Sequence, residues 1–123
     1  MQDEETTHLV IGAALEVHRA LGPGLLESAY QRCLCRELEL RHARFSRELA
    51  LPVVYKGFQI DCSYRIDLLI EEVVVVEVKA VETLLPIHVA QVLTYLRLGN
   101  WKVGLLINFN VPVLTMGIRR LIL

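Results

Sequence analysis

The sequence predicts an α/β domain in which helices flank a central mixed sheet of four or five strands. Three observations carry that reading. Apolar residues recur at three- and four-residue steps through the first third of the chain, then give way to β-branched and aromatic runs after Phe45. Val73 to Ala80 is almost continuously apolar, as in a strand covered on both faces. A helical stretch and a further apolar strand follow, which is the strand–helix–strand order of a sheet covered by helices.

Thr6 or Thr7 is placed to cap a first helix from about His8 to Leu21, with Val10, Ala13, Ala14, Val17 and Leu21 on its apolar face. Gly22-Pro23-Gly24 cannot continue it, because proline lacks an N–H and glycine favours other dihedrals. A second, amphipathic helix runs from about Leu26 to His42, with Gln31, Arg32 and Arg36 among the residues facing water. Ala50 to Tyr55 then reads as a strand, Lys56-Gly57 as a hairpin turn, and Phe58–Cys62 and Arg65–Ile70 as the next strands. Pro86 starts a third helix over Ile87–Leu98, which Gly99-Asn100 ends in left-handed geometry. Lys102–Asn108 is the last central strand, and Met116–Leu123 is a candidate edge strand.

No linker, repeat or low-complexity tract interrupts residues 1–123, so a single domain is expected. The 13 Lys and Arg against 14 Asp and Glu give a net charge of -1, which excludes binding driven by bulk positive charge. Cys33, Cys35 and Cys62 lack zinc-site or cluster spacing and read as reduced thiols. The acidic start Met1-Gln2-Asp3-Glu4-Glu5 is unlike a signal peptide, and a cytoplasmic location is expected. The longest apolar run is far short of the roughly 20 residues that span a bilayer, so no membrane role is expected. Val73–Val76 and Leu121-Ile122-Leu123 are apolar surface that one thin domain leaves uncovered, which points to a homodimer or small homo-oligomer.

The chemistry concentrates between Arg65 and Lys79. In a hairpin turning near Glu72, Asp67 falls opposite Glu77, and the side-chain period of two sets Lys79 on the same face as Glu77. Two carboxylates side by side on an apolar strand pair require a cation, since burying a charge unpaired costs several kcal/mol. Hard oxygen donors suit Mg²⁺ or Mn²⁺ better than zinc. Lys79 would then lie beside the attacking water, and the chemistry implied is phosphodiester hydrolysis. The competing account is a structural cluster in which Lys79 merely neutralises Asp67 and Glu77.

Asp67, nine residues, then Glu77-Val78-Lys79 resembles the signature of the PD-(D/E)xK phosphodiesterase superfamily, with its restriction-endonuclease-like core. Gly24-Leu25-Leu26-Glu27-Ser28-Ala29-Tyr30 is similar to the GxxExxY signature of a family of small bacterial and archaeal proteins within it. The similarity extends to His18, Leu51-Pro52-Val53 and Ile107-Asn108-Phe109-Asn110, and so covers nearly the whole chain. It implies a Mg²⁺- or Mn²⁺-dependent nuclease acting on nucleic acid, DNA by analogy. Asp67 and Glu77 would be metal ligands, the Val78 carbonyl a third, and Lys79 would act on the water. Glu27 matches the acidic residue that helps hold the metal in RecB-type members, although by itself it reads as a first-turn glutamate favoured by the helix dipole. Gln91 and Tyr95 match those members' QxxxY element, which supports the site or touches DNA. By themselves they read as a surface glutamine beside a core tyrosine sharing one helix face. Tyr30 reads as a packing aromatic, and His18 and His88 carry little weight. The alternative for the whole chain is a non-catalytic nucleic-acid-binding or assembly module of the same fold.

Overall fold

The computed structural model describes residues 2–60 and 64–123. Helices α1 (Gln2–Leu21) and α2 (Glu27–Leu40) precede strand β1 (Phe45–Ala50), and β2 (Val53–Tyr55) and β3 (Phe58–Ile60) form a small hairpin. Strands β4 (Arg65–Ile70) and β5 (Val74–Lys79), helix α3 (Pro86–Gly99), strand β6 (Val103–Asn108), a 3₁₀ turn over Leu114–Gly117 and strand β7 (Ile118–Ile122) complete the chain. The sheet has five strands in the order β1-β4-β5-β6-β7. Strands β5 and β6 are parallel and every other pair is antiparallel, which makes the sheet mixed as expected.

Several boundaries differ from the sequence expectation. Helix α1 begins six residues before His8, at Gln2, and Thr7 is no cap: its hydroxyl donates to the Asp3 carbonyl one turn back, at 2.7 Å. Glu5 and its acidic neighbours instead fill the first turn, where the helix dipole favours them. The strand expected over Ala50–Tyr55 is divided. Its first part belongs to β1, which pairs with β4, and Leu51-Pro52 breaks the chain before β2. Cys62, expected in a strand, lies outside the described residues. Tyr55 pairs with Phe58 across Lys56 and Gly57, both at positive φ, the hairpin turn expected of that dipeptide. Asn100 ends α3 in left-handed geometry, also as expected.

Two cores lie on the two faces of the sheet. On one face Val10, Ala14, Leu34 and Leu38 of the first two helices pack on Leu68, Ile70, Val74, Val76 and Leu105. On the other Val92, Tyr95 and Leu96 of α3 pack on Ile66, Leu69, Val75 and Leu106. Gly104 lets α3 sit close to β6, since a Cβ there would stand 2.7 Å from Val92 Cγ1. Val74, Val75 and Val76 are wholly buried within this one chain, so they supply no surface for a second subunit; Ile122 and Leu123 remain exposed.

Candidate active site

The β4–β5 ladder pairs Ile70 with Val74, Leu69 with Val75 and Leu68 with Val76, and stops there. The next step would pair Asp67 with Glu77, and at that step side chains replace the backbone bonds. The Val78 N–H donates to Asp67 Oδ2 at 2.8 Å, and the Asp67 N–H lies 3.4 Å from Glu77 Oε1. Two opposed carboxylates are thereby fixed where the strands part. Alternation from Val75, which packs under α3, puts Glu77 and Lys79 on the α3 face.

Glu77 is 4% exposed. Burial, and next the charge of Asp67, push its carboxyl up to about 9, with Lys79 only partly offsetting them. Lys79 is half-buried, and among the described residues no ion pair joins it to Asp67 or Glu77. The lysine therefore sits beside the pair without neutralising it.

A family model described as the PD-(D/E)XK nuclease superfamily matches residues 4–121. The chain belongs to the PD-(D/E)XK nuclease superfamily. No curated protein and no solved structure matches it. The mixed five-stranded sheet flanked by helices is the restriction-endonuclease-like fold of that superfamily, and among the described residues no helix is long and apolar enough to cross a membrane.

Superfamily members typically use divalent metal ions, and the donors here fit one in part. Asp67 and Glu77 offer hard oxygens, and a cation between them would offset the burial, and next the Asp67 charge, that hold the Glu77 carboxyl so high. Among the described residues no three His, Cys, Asp or Glu side chains are gathered closely enough to hold an ion together. Glu27 accordingly does not join the pair: it is exposed on the first turn of α2, one turn before Gln31. A two-carboxylate site suits Mg²⁺, which keeps several waters and binds through one or two carboxylates.

The other expected positions divide between site and scaffold. Gln91 and Tyr95, with Ile87 and Leu98, form the α3 wall of an apolar groove of about 410 Å³, whose other lining residues are Val53 and Tyr64. Tyr95 is buried, and burial followed by the charges of Glu77 and Asp67 raises its phenol, so Tyr95 lies within electrostatic reach of the carboxylates, which themselves do not line the groove. Tyr30 is a packing aromatic, stacked on Phe109 with centroids 4.6 Å apart. Its hydroxyl donates to the Gly22 carbonyl and accepts from the Leu25 N–H, clasping the turn in which Gly24 has φ +103°. His18 Nε2 lies 2.8 Å from the Val111 carbonyl, and His88 Nδ1 accepts from the Leu85 N–H at the start of α3. Both histidines are scaffold.

Two residues at the site were not expected. Gln31, read as water-facing, donates from Nε2 to Glu48 Oε2 at 2.8 Å and to the Asp67 carbonyl at 3.3 Å. Asn108 is 2% exposed and pairs with Lys79 in the β5–β6 register. It accepts from Val81 N and donates to Val81 O, holding the chain just beyond the lysine. For Asn108 a signal was present in the Asn108-Phe109-Asn110 stretch; for Gln31 there was none.

Proposed function

We propose that this protein is a metal-dependent phosphodiester hydrolase acting on nucleic acid, with DNA as the substrate class and Mg²⁺ or Mn²⁺ as its ion. The observation that carries the reading is the pairing of the buried Glu77 carboxylate with the half-buried, opposed Asp67 carboxylate, next to a lysine that is close by but makes no ion pair with either. A structural cluster would have used that lysine to neutralise the carboxylates.

Asp67 and Glu77 would hold the ion, with the Val78 carbonyl as a third ligand; Glu27 could reach it only by a change in its side chain or in α2. When bound, the ion would stabilise charge growing on the phosphoryl group and ease deprotonation of water. Lys79, two residues along β5 on the same face, donates to the attacking water and orients it. Tyr95 and Gln91 bound an apolar groove and would position the substrate strand along α3 towards the carboxylates, whose charge Tyr95 feels, with the apolar wall excluding bulk water. The chain as one domain of the RecB-like, GxxExxY type is supported by the Glu27-to-Tyr30 motif and the ordered Gln91–Tyr95 pair. A cytosolic homodimer or small homo-oligomer is the accompanying assembly, supported by exposed Ile122 and Leu123 at the β7 edge.

The test is calorimetric titration of Mg²⁺ and Mn²⁺ into the protein and its Asp67→Asn variant, then incubation of both with labelled single- and double-stranded DNA. Saturable binding and metal-dependent cleavage, both lost in the variant, establish the reading. A well-folded wild type that neither binds nor cleaves leaves a nucleic-acid-binding or assembly module in its place.

A further inference from the structure

Strand β1 is irregular at its centre. Its register with β4 runs in step from Phe45↔Ile70 to Ala50↔Arg65, but the step that would pair Glu48 with Asp67 is missing. Glu48 has φ +53°, in the left-handed region that L residues rarely adopt. Side chains change faces at this point in both strands. Phe45, Leu68 and Ile70 pack with the α1–α2 core, while Leu49 and Ile66 pack with the α3 core. The two strands therefore kink together, at the pair Glu48 and Asp67.

Gln31 of α2 bridges that kink. One amide nitrogen donates to Glu48 Oε2 at 2.8 Å and to the Asp67 carbonyl at 3.3 Å, tying together the two residues that the backbone ladder leaves unpaired. Arg65 Nη1 lies 3.4 Å from the Glu48 carbonyl and supports it from the β4 side. Strained backbone of this kind persists only where its surroundings over-determine it, and it clusters at functional sites.

We propose that Gln31 and Glu48 are positioning residues for Asp67: the bridge holds β4 kinked, so that the Asp67 carboxylate leaves the ladder, accepts the Val78 N–H and faces Glu77. The metal arm of this proposal rests on the reading of Asp67 and Glu77 as ion-holding residues; the geometric arm does not. Glu48 acts through its bond to Gln31, not as a ligand, so length and acceptor matter and charge does not.

The experiment compares wild type with Gln31→Ala, Glu48→Gly and Glu48→Gln by three readouts: Mn²⁺ affinity by calorimetry, thermal midpoint, and hydrogen exchange of the Val78 amide against that of Val75. In Gln31→Ala and Glu48→Gly the Val78 amide should exchange at least about ten-fold faster while Val75 is unchanged, and Mn²⁺ affinity should fall roughly ten- to a hundred-fold, as for other outer partners of metal ligands. Glu48→Gly should keep or raise the thermal midpoint, since glycine adopts positive φ freely, so stability and affinity move in opposite directions. Glu48→Gln should match wild type in all three.

Unchanged Val78 exchange in both Gln31→Ala and Glu48→Gly overturns the proposal, as does loss of Mn²⁺ binding in Glu48→Gln with Val78 still protected, which would make Glu48 a ligand. A wild type that binds no Mn²⁺ defeats the functional reading instead, and the exchange of Val78 still decides whether Gln31 and Glu48 position Asp67.

Discussion

The two halves of the β4–β5 hairpin are built on the same sheet to opposite ends. Near the turn, Leu68 to Ile70 and Val74 to Val76 are paired by backbone bonds and almost wholly removed from water, and Glu71 is tied to Arg44 by a backbone N–H at 2.9 Å and by the guanidinium. At the far half the ladder stops, and Asp67 and Glu77 take backbone N–H groups with their side chains. The first half holds the fold together; the second sets the half-buried Asp67 carboxylate against the buried one of Glu77. The well-packed half lies directly against the strained one and anchors it.

Substitutions in each half should separate stability from chemistry. Leu68→Ala, in the paired half, should destabilise the domain by about 2–5 kcal/mol in denaturant unfolding, with cleavage falling only as the folded fraction falls. Lys79→Ala, in the open half, should lower cleavage by roughly 10²–10³-fold while costing at most about 1 kcal/mol of stability, because among the described residues Lys79 makes no ion pair. Loss of several kcal/mol in that variant would return the site to a structural cluster.

Acidity offers a third cut. The Glu77 carboxyl is raised from an ordinary 4.5 to about 9, so the folded state holds its proton more tightly than the unfolded state does. Its stabilising contribution is therefore complete below about pH 4.5 and is lost as pH rises towards 9. Unfolding of metal-free protein should grow easier across pH 5 to 9, Glu77→Gln should flatten that slope, and added Mg²⁺ should restore stability at the alkaline end. A slope identical in the variant would show that Glu77 is not the group responsible. The smallest effect belongs to the scaffold: His88→Ala removes the acceptor for the Leu85 N–H and should cost about 0.5–2 kcal/mol with the cleavage rate per folded molecule unchanged.

Periodicity and residue order were enough to place Asp67, Glu77 and Lys79, because cross-strand position and a period of two follow from the backbone alone. The mixed sheet was legible for the same reason, as was the Asn100 stop of α3. Gln31 was not legible: its helical face follows from sequence, but what stands opposite depends on a kink at Glu48, and nothing in Arg47-Glu48-Leu49 announces a positive φ. The start of α1 was misjudged because a threonine before an apolar run has the composition of a cap, while its hydroxyl can equally bond back along a helix that has already begun. Boundaries set by a choice among local hydrogen bonds are the part that composition leaves open.

The clasp around Tyr30 bears on the order in which the molecule is assembled as it leaves the ribosome. Residues 18 to 30 are made well before their partners, since the Tyr30 ring stacks on Phe109 and His18 meets Val111, 93 residues further along. Helices α1 and α2 can form while the chain is growing, and β4 and β5 cover part of their shared apolar face, but that cover is completed only when β6 and the turn after it have been synthesised. Until then part of that face stays open to water, and transiently exposed apolar surface of this kind is where a growing chain is prone to aggregate.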